Sequence, residues 1–315
     1  MRSEIDPAGA RCPASGGMPL PSSEDKYDLS IVIVNYKAKA LLKECLDSIY
    51  QSTTNLHFDT WLIDNASRDD TAKWVRENFP EVKLIENRWN SGFSKATNQG
   101  IRKSQGRYLL LLNPDTKIVS EGMDQILKFM EENPEVGICS PKMIDGKGNL
   151  LYSCRSFPNY FTSISSSQSL LNRFFPQNPL SKRYLLKGLD RAEVREVDWV
   201  SGSCLFARRK MLEEIGLLDE NYFMFCEDVD LCLRAKKCGW KVFYFPLLTI
   251  VHQIGGSTSF NPLRAKLEHH HSMYYFFKKH YRPNWILRFL VFSGLLLRLL
   301  FLAFSFILTK PSKRG

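Results

Sequence analysis

Neither of the two common glycine-rich phosphate loops occurs where it would be needed in this sequence. The turn after the first apolar run lacks G-x-G-x-x-G, and no G-x-x-x-x-G-K-[ST] is present, which disfavours a dinucleotide-dependent or P-loop enzyme. The eight cysteines, at positions 12, 45, 139, 154, 204, 226, 232 and 238, include no C-x-x-C pair. Scattered reduced thiols are therefore expected, not a disulfide framework or a zinc site. No secretory signal and no internal repeat is visible. A broad surplus of positive charge is also missing. The formal net charge is +10, but residues 264–315 hold ten Lys or Arg against one acid, leaving the remainder close to neutral. A basic fold would suggest nucleic acid, whereas charge confined to an apolar tail points to anionic lipid.

What is present is enough for one large α/β domain: 315 residues, 44% hydrophobic and 24% charged. Residues 1–28 are rich in Pro, Gly and Ser with mixed charges, and are expected to form a disordered leader. Residues 29–34 are a β-branched run suited to a strand buried on both faces. A helix is expected over 38–50, a strand over 60–63, a helix over 69–78, a short strand over 82–85, a helix near 95–103 and a very apolar strand over 108–112. Such alternation predicts a doubly wound, mostly parallel, Rossmann-like sheet. After Ile138 the alternation weakens. Residues 160–191 read as a long excursion over the active face, and structure returns over 197–207, with helices over 209–215 and 227–238 and a short strand over 241–245.

Ligands of open α/β sheets bind beyond the carboxyl ends of the strands. Three of the first four strands end there in polar residues: Asn35, Asp64, and Asn113 with Asp115. Pro114 bars strand continuation, so Asp115 should project from the edge, suited to a hard divalent cation bridging a diphosphate; the alternative is a type I turn with Pro at its second position and Asp at its third. Glu227, Asp228 and Asp230 follow an aromatic stretch, and their mutual repulsion with partial burial is a way to prepare a general base. The positive end of a helix dipole explains Asp230 without any catalytic role. His252 closes an apolar run before Gly255-Gly256 and is a candidate metal ligand.

These pieces together resemble the family 2 glycosyltransferases. Ile31-Val32-Ile33-Val34-Asn35-Tyr36, Ile63-Asp64-Asn65-Ala66-Ser67, Asn90-Ser91-Gly92-Phe93, Asn98-Gln99-Gly100 and Asn113-Pro114-Asp115 occur in that family's order. Gly202-Ser203-Cys204, Phe225-Cys226-Glu227-Asp228-Val229-Asp230 and His252 follow in the same order. The match looks most similar to a bacterial rhamnosyltransferase-like branch that builds lipid-linked cell-surface polysaccharide. The resemblance implies a GT-A fold over residues 29–260, with a nucleotide-sugar half (29–140) and an acceptor half (141–260), and a single-displacement, inverting mechanism. It places Val34, Asn35, Asp64, Asn90, Gly92, Asn98 and Asn113 around a dTDP- or UDP-sugar. Asp115 and His252 would hold Mg²⁺ or Mn²⁺, and Asp228 would be the base. Glu227, Asp230 and Trp199 would support the base or orient a glycan or polyprenyl-diphosphate-linked acceptor. One departure stands out: the first Asp of the family's D-x-D is Asn113 here. A nucleotidyltransferase, or an inactive membrane-tethered nucleotide-sugar-binding protein, are the competing readings.

Residues 289–308 hold a single charge, Arg298. Their length suits a bilayer-spanning helix, while Gly294, Arg298 and Ser305 on one side suit a helix lying in the interface. Residues 261–315 are thus expected to associate with the cytoplasmic face of a membrane, with no nucleic-acid partner.

Overall fold

The computed structural model describes residues 26–52, 56–159, 178–253 and 262–281, with scattered positions between 284 and 294. The N-terminal half alternates as the sequence predicts: β1 (Tyr27–Asn35), α1 (Lys39–Ser52), β2 (Phe58–Asp64), α2 (Thr71–Asn78), β3 (Lys83–Glu86), α3 (Phe93–Lys103) and β4 (Gly106–Leu112). The rest comprises β5 (Thr116–Ile118), α4 (Met123–Glu132), β6 (Val136–Ile144), β7 (Cys154–Arg155), α5 (Pro179–Tyr184), β8 (Arg195–Glu196), β9 (Trp199–Val200), β10 (Cys204–Arg208), α6 (Arg209–Ile215), α7 (Glu227–Lys237), β11 (Lys241–His252) and α8 (Pro262–Tyr281).

The main sheet runs β3-β2-β1-β4-β10-β6-β11-β5, with β8 added beside β11. The β3-β2-β1-β4 part is parallel, as is β6–β11, while β10 lies antiparallel to both β4 and β6 and β5 antiparallel to β11. Alternate residues of β1 feed opposite faces: Val32 and Val34 join a core with α3, α6 and α7, while Ile31 and Ile33 join one with α1, α2 and α4. Every β1 residue from Leu29 on is buried, which is why the run could be read as continuous.

The C-terminal half meets some expectations and corrects others. Structure does return over 197–207, as β9 and β10, separated where the chain turns at Gly202 to pass beside α7. The strand expected to stop at Phe245 continues to His252 across an irregularity between Phe245 and Thr249. Pro246, which has no N–H to give a ladder, stands at that irregularity. Alternation weakens after Ile138 as expected: β6 runs on to Ile144, and β8, β9 and β10 then follow one another with no helix between them. The expected excursion over 160–191 lies outside the described residues up to 177, and its end carries α5. Six cysteines are free thiols, five of them buried; among the described cysteines only Cys238 departs from the reduced expectation, being disulfide-bonded.

Helix α8 buries His270, Ser272, Phe276 and Phe277 against the body. No helix among the described residues is long and apolar enough to cross a membrane, and most of the 289–308 run lies outside them.

Candidate active site

The register of the parallel strands sets their polar ends side by side. Asn35 pairs with Asp64 across β1 and β2, and Asp64 with Glu86 across β2 and β3. The Asn35 amide donates to Asp64 Oδ1 (3.2 Å) and to Ser67 Oγ (3.1 Å). Asp64 also accepts from the Ser67 N–H (3.2 Å) and the Ser67 hydroxyl. The carboxylate is thereby fixed at the strand end, 7% exposed, with its negative charge shared among neutral donors. Positive φ at Ala66 (66°) and Arg68 (56°) makes the sharp turn that brings Ser67 back beneath it. Val34 packs its side chain into the core one residue before Asn35.

Asn65 organises the neighbouring loop. Its amide donates to Asn90 Oδ1 (3.0 Å) and the Gly92 carbonyl (3.1 Å), and its own oxygen accepts from the Ser91 N–H (3.0 Å) and Asn87 (3.0 Å). Asn90 in turn accepts from the Gly92 N–H (3.0 Å). Gly92 has φ of +88°, and a Cβ there would meet the Phe223 carbonyl at 2.7 Å, so glycine is needed for both conformation and close approach. The Phe93 N–H donates to that same carbonyl, joining the start of α3 to the loop that precedes α7. Asn98 is not brought to the strand ends. It is buried in α3, where its amide bonds the Leu218 backbone at both its carbonyl (2.8 Å) and its N–H (3.2 Å), and also Glu220 (3.0 Å).

Asn113 follows β4, partly exposed, with its N–H donated to the Ser203 carbonyl (2.9 Å). The chain then reverses into β5, which pairs antiparallel with β11 so that Thr116 faces His252. That pairing sets Asp115 Oδ1 3.2 Å from His252 Nε2, with side-chain exposures of 8% and 14%. A hard carboxylate oxygen and an imidazole nitrogen this close form a donor pair that suits Mg²⁺ or Mn²⁺. No group of three or more His, Cys, Asp or Glu donors gathers among the described residues; Asp115 and His252 are the residues that would hold an ion here.

The third group lies at the start of α7. Phe225 and Cys226 hold left-handed φ of 68° and 64°, a costly conformation that throws the chain from the aromatic loop straight into the helix. Asp228, half-buried, accepts from the Gly202 N–H at Oδ2 (2.9 Å) and from the Val229 N–H at Oδ1 (2.8 Å). A Cβ on Gly202 would stand 3.3 Å from that of Asp228, so glycine lets the backbone reach the carboxylate. Burial raises the Asp228 pKa above the ordinary carboxylate range, restrained by the Gly202 and Val229 N–H groups and the Arg155 charge. Glu227 is more deeply buried, with Oε2 unbonded among the described residues. Burial, then the neighbouring Asp228 charge, drives its pKa well above the usual value.

Asp230 is not brought to this cleft. It is fully buried between α7 and α8, bound to Arg234 (2.8 Å), Lys279 (2.6 Å) and His280 (2.6 Å). Burial alone would raise its pKa, but the His280 hydrogen bond and the Arg234 and Lys279 charges outweigh that and hold it well below the carboxylate range. Trp199 is buried too, its indole N–H given to the Ser156 carbonyl (2.8 Å), and it forms a floor under Arg155. Sequence reasoning assigned no site role to Ser67, Asn65, Gly202 or Arg155. The first three stood inside motifs that could have flagged them; Arg155 carried no local signal.

A model of glycosyl transferase family 2 matches residues 30–216. The chain is 30% identical over 268 residues to an N-acetylglucosaminyl-diphospho-decaprenol L-rhamnosyltransferase of Mycobacterium tuberculosis, covering 82% of this chain and 86% of that protein. It is 28% identical to the rhamnosyltransferase WbbL of Escherichia coli over 48% of this chain and 54% of that one. In fold it is similar to the mannosyltransferase PcManGT from Pyrobaculum calidifontis, crystallised with GDP-Man and Mn2+, at a TM-score of 0.55, 16% identity, and coverage of 88% of this chain and 69% of that chain. GalNAc-T7, crystallised with UDP, GalNAc and Mn2+, aligns at a TM-score of 0.54 and 17% identity over 73% of this chain and 44% of its own.

Proposed function

The chain belongs to glycosyl transferase family 2, and from that premise we propose that it moves a rhamnose-like sugar from a nucleoside-diphosphate donor onto a polyprenyl-diphosphate-linked glycan, with inversion. The observation that carries this reading is the arrangement at the carboxyl edge of the sheet. A fixed carboxylate (Asp64) and a clamped loop (87–92) suit a nucleotide, the Asp115–His252 pair suits a metal-bound diphosphate, and Asp228 supplies a proton acceptor. The rhamnosyltransferase relatives support the sugar, and the decaprenol-linked acceptor of one of them supports the lipid carrier. A nucleotidyltransferase no longer competes once the family is known.

In the proposed reaction Asp228 takes the proton from the acceptor hydroxyl as its oxygen attacks the anomeric carbon. The bond from that carbon to the diphosphate oxygen breaks on the opposite face, and its electron pair leaves with the nucleoside diphosphate. Asp228 later passes the proton to solvent. Asp115 and His252 would hold Mg²⁺ or Mn²⁺, which when bound neutralises charge developing on the leaving diphosphate. Burial and the Asp228 charge raise the Glu227 pKa, which works against a second negative charge beside the base.

We also place the protein at the cytoplasmic face of a membrane. Trp285, Ile286, Phe289 and Phe292 are more than half exposed, and Lys278, Arg282 and Arg288 are their neighbours in sequence, a composition suited to anionic headgroups.

Turnover of a panel of nucleotide sugars, read as nucleoside diphosphate release with a polyprenyl-diphosphate-linked GlcNAc acceptor, tests the reading. dTDP-rhamnose should be the preferred donor, and EDTA should abolish release until Mg²⁺ or Mn²⁺ is returned. Preference for another donor would overturn the sugar assignment. Full activity in excess chelator would overturn the metal assignment.

A further inference from the structure

The loop that delivers Asp228 is gripped along its length by α8, a helix with no task in that mechanism. The Ser272 hydroxyl donates to the Met224 carbonyl at 2.8 Å. A serine inside a helix often returns its hydroxyl to its own helix; this one, 1% exposed, is turned to the loop. Tyr275 packs edge-on against Tyr222, ring centres 4.9 Å apart, and its hydroxyl donates to Asp219 at 2.9 Å. His269 meets the Phe225 ring at 5.4 Å between centres, and the Arg264 guanidinium lies 4.6 Å from the centre of Phe223. Each residue from Tyr222 to Phe225 thus leans on α8. His269, Ser272, Tyr275 and Lys279 recur at every third or fourth position, so one face of the helix presents them all.

The grip matters because the loop ends in strain. Phe225 and Cys226 hold left-handed φ of 68° and 64° without being glycine, a conformation that persists only where its surroundings impose it. Cys226 is the last residue before α7, and Asp228 stands in the first turn of that helix. From its other side the loop is met by α3, whose Phe93 N–H donates to the Phe223 carbonyl at 2.6 Å. The segment 222–226 is therefore a joint between α8, α3 and the residue that bears the base.

The donor loop has a support of its own. Asn65, at the end of β2, bonds Asn90, Ser91 and Gly92. Helix α8 is itself fixed to α7, through Lys279 and His280 at Asp230 (2.6 Å each). Loosening the contacts of α8 with the loop should thus free Asp228 while leaving the donor clamp in place.

We propose that Ser272 and Tyr275 are positioning residues for glycosyl transfer: acting through the segment 222–226, they hold Asp228 where it reaches the acceptor hydroxyl. This rests on Asp228 being the base. Proton transfer needs hydrogen-bond distance, and misplacement by about 1 Å costs as much as ~10²-fold in rate.

The experiment is single-turnover transfer at saturating acceptor by the full-length wild type, Ser272→Ala, Tyr275→Ala and Tyr275→Phe, with donor Kd measured for each. The substrates are dTDP-rhamnose, or the panel donor that the wild type prefers, and polyprenyl-diphosphate-linked GlcNAc. Rates are taken per donor-binding molecule, so a residue that only stabilises the fold leaves them unmoved. Ser272→Ala and Tyr275→Ala should each lose ~10–10²-fold at unchanged donor Kd. Tyr275→Phe, which keeps the ring on Tyr222, should recover most of that loss. If Tyr275→Ala binds no donor, Ser272→Ala, which deletes one oxygen and adds nothing, decides. Wild-type rates in the donor-binding Ala variants would overturn the proposal. So would a weakened donor Kd that accounts for the whole loss, which would make α8 a wall of the donor pocket. Absence of transfer by the wild-type protein would instead overturn the glycosyl-transfer reading, and this proposal with it.

Discussion

Glu227 and Asp228 are neighbours in sequence, yet their surroundings give them different chemistry. Glu227 is buried with one oxygen unbonded and has its proton affinity driven up, first by burial and then by Asp228. Asp228 is half-buried and receives two backbone N–H groups, which favour its charged form against the effect of burial. An amide of the same shape mimics the protonated carboxyl that the surroundings of Glu227 favour. Glu227→Gln should therefore lose less transfer activity than the ~10²-fold or more that removal of a general base costs. Initial-rate measurement on the lipid-linked acceptor checks this, and a collapse of that size would move the base role to Glu227. Asp64 and Asn98 show the same dependence on surroundings. Both were read as nucleotide-pocket residues, but Asp64 sits at the strand end among neutral donors while the Asn98 amide is consumed by Leu218 and Glu220.

At the scale of elements, α7 does two jobs at once. Its first residues present Asp228 to the cleft, and Asp230, on its buried side, holds α8 through Lys279 and His280. Removing one member of a buried ion cluster leaves charges without compensation, so Asp230→Asn should destabilise the protein by ~3–5 kcal/mol in chemical denaturation. The sign with pH follows from its depressed pKa. Its stabilisation is fully present above the unfolded carboxylate pKa of about 3.9 and is lost as pH falls below it. The wild type should therefore lose stability with acid more steeply than the Asn variant, and equal acid sensitivity would contradict the ion-cluster account. Parts of this layout were legible in the sequence. Strands β1, β2 and β4 announce themselves because apolar runs stop abruptly at Asn35, Asp64 and Asn113, and those stops mark the binding edge. The role of Asp230 was hidden because its partners lie on a helix far along the chain that was read as tail. Strand β10 blurred into β9 because antiparallel insertion leaves no helix between strands to mark the boundary. Arg155 reaches Trp199 only when β7 pairs with β9, which no local pattern foretells.

For the molecule as a whole, every proposed site residue precedes α8, and α8 itself packs on the body. A chain ending at residue 284 keeps all of these and sheds the exposed Trp285, Ile286, Phe289 and Phe292. It should turn over a water-soluble acceptor analogue at the full-length rate while losing sedimentation with anionic vesicles. Each basic residue near the surface contributes about 1 kcal/mol, weakened by salt. Lys279 is not among them, being committed to Asp219 and Asp230. Unchanged vesicle binding after truncation would remove the membrane role from the tail. The central claim is that Asp228 accepts the proton in glycosyl transfer, and single-turnover transfer by Asp228→Asn tests it most directly. With donor binding intact, transfer onto the lipid-linked acceptor should fall by at least ~10²–10⁴-fold. Transfer at near the wild-type rate by that folded, donor-binding variant would contradict the account.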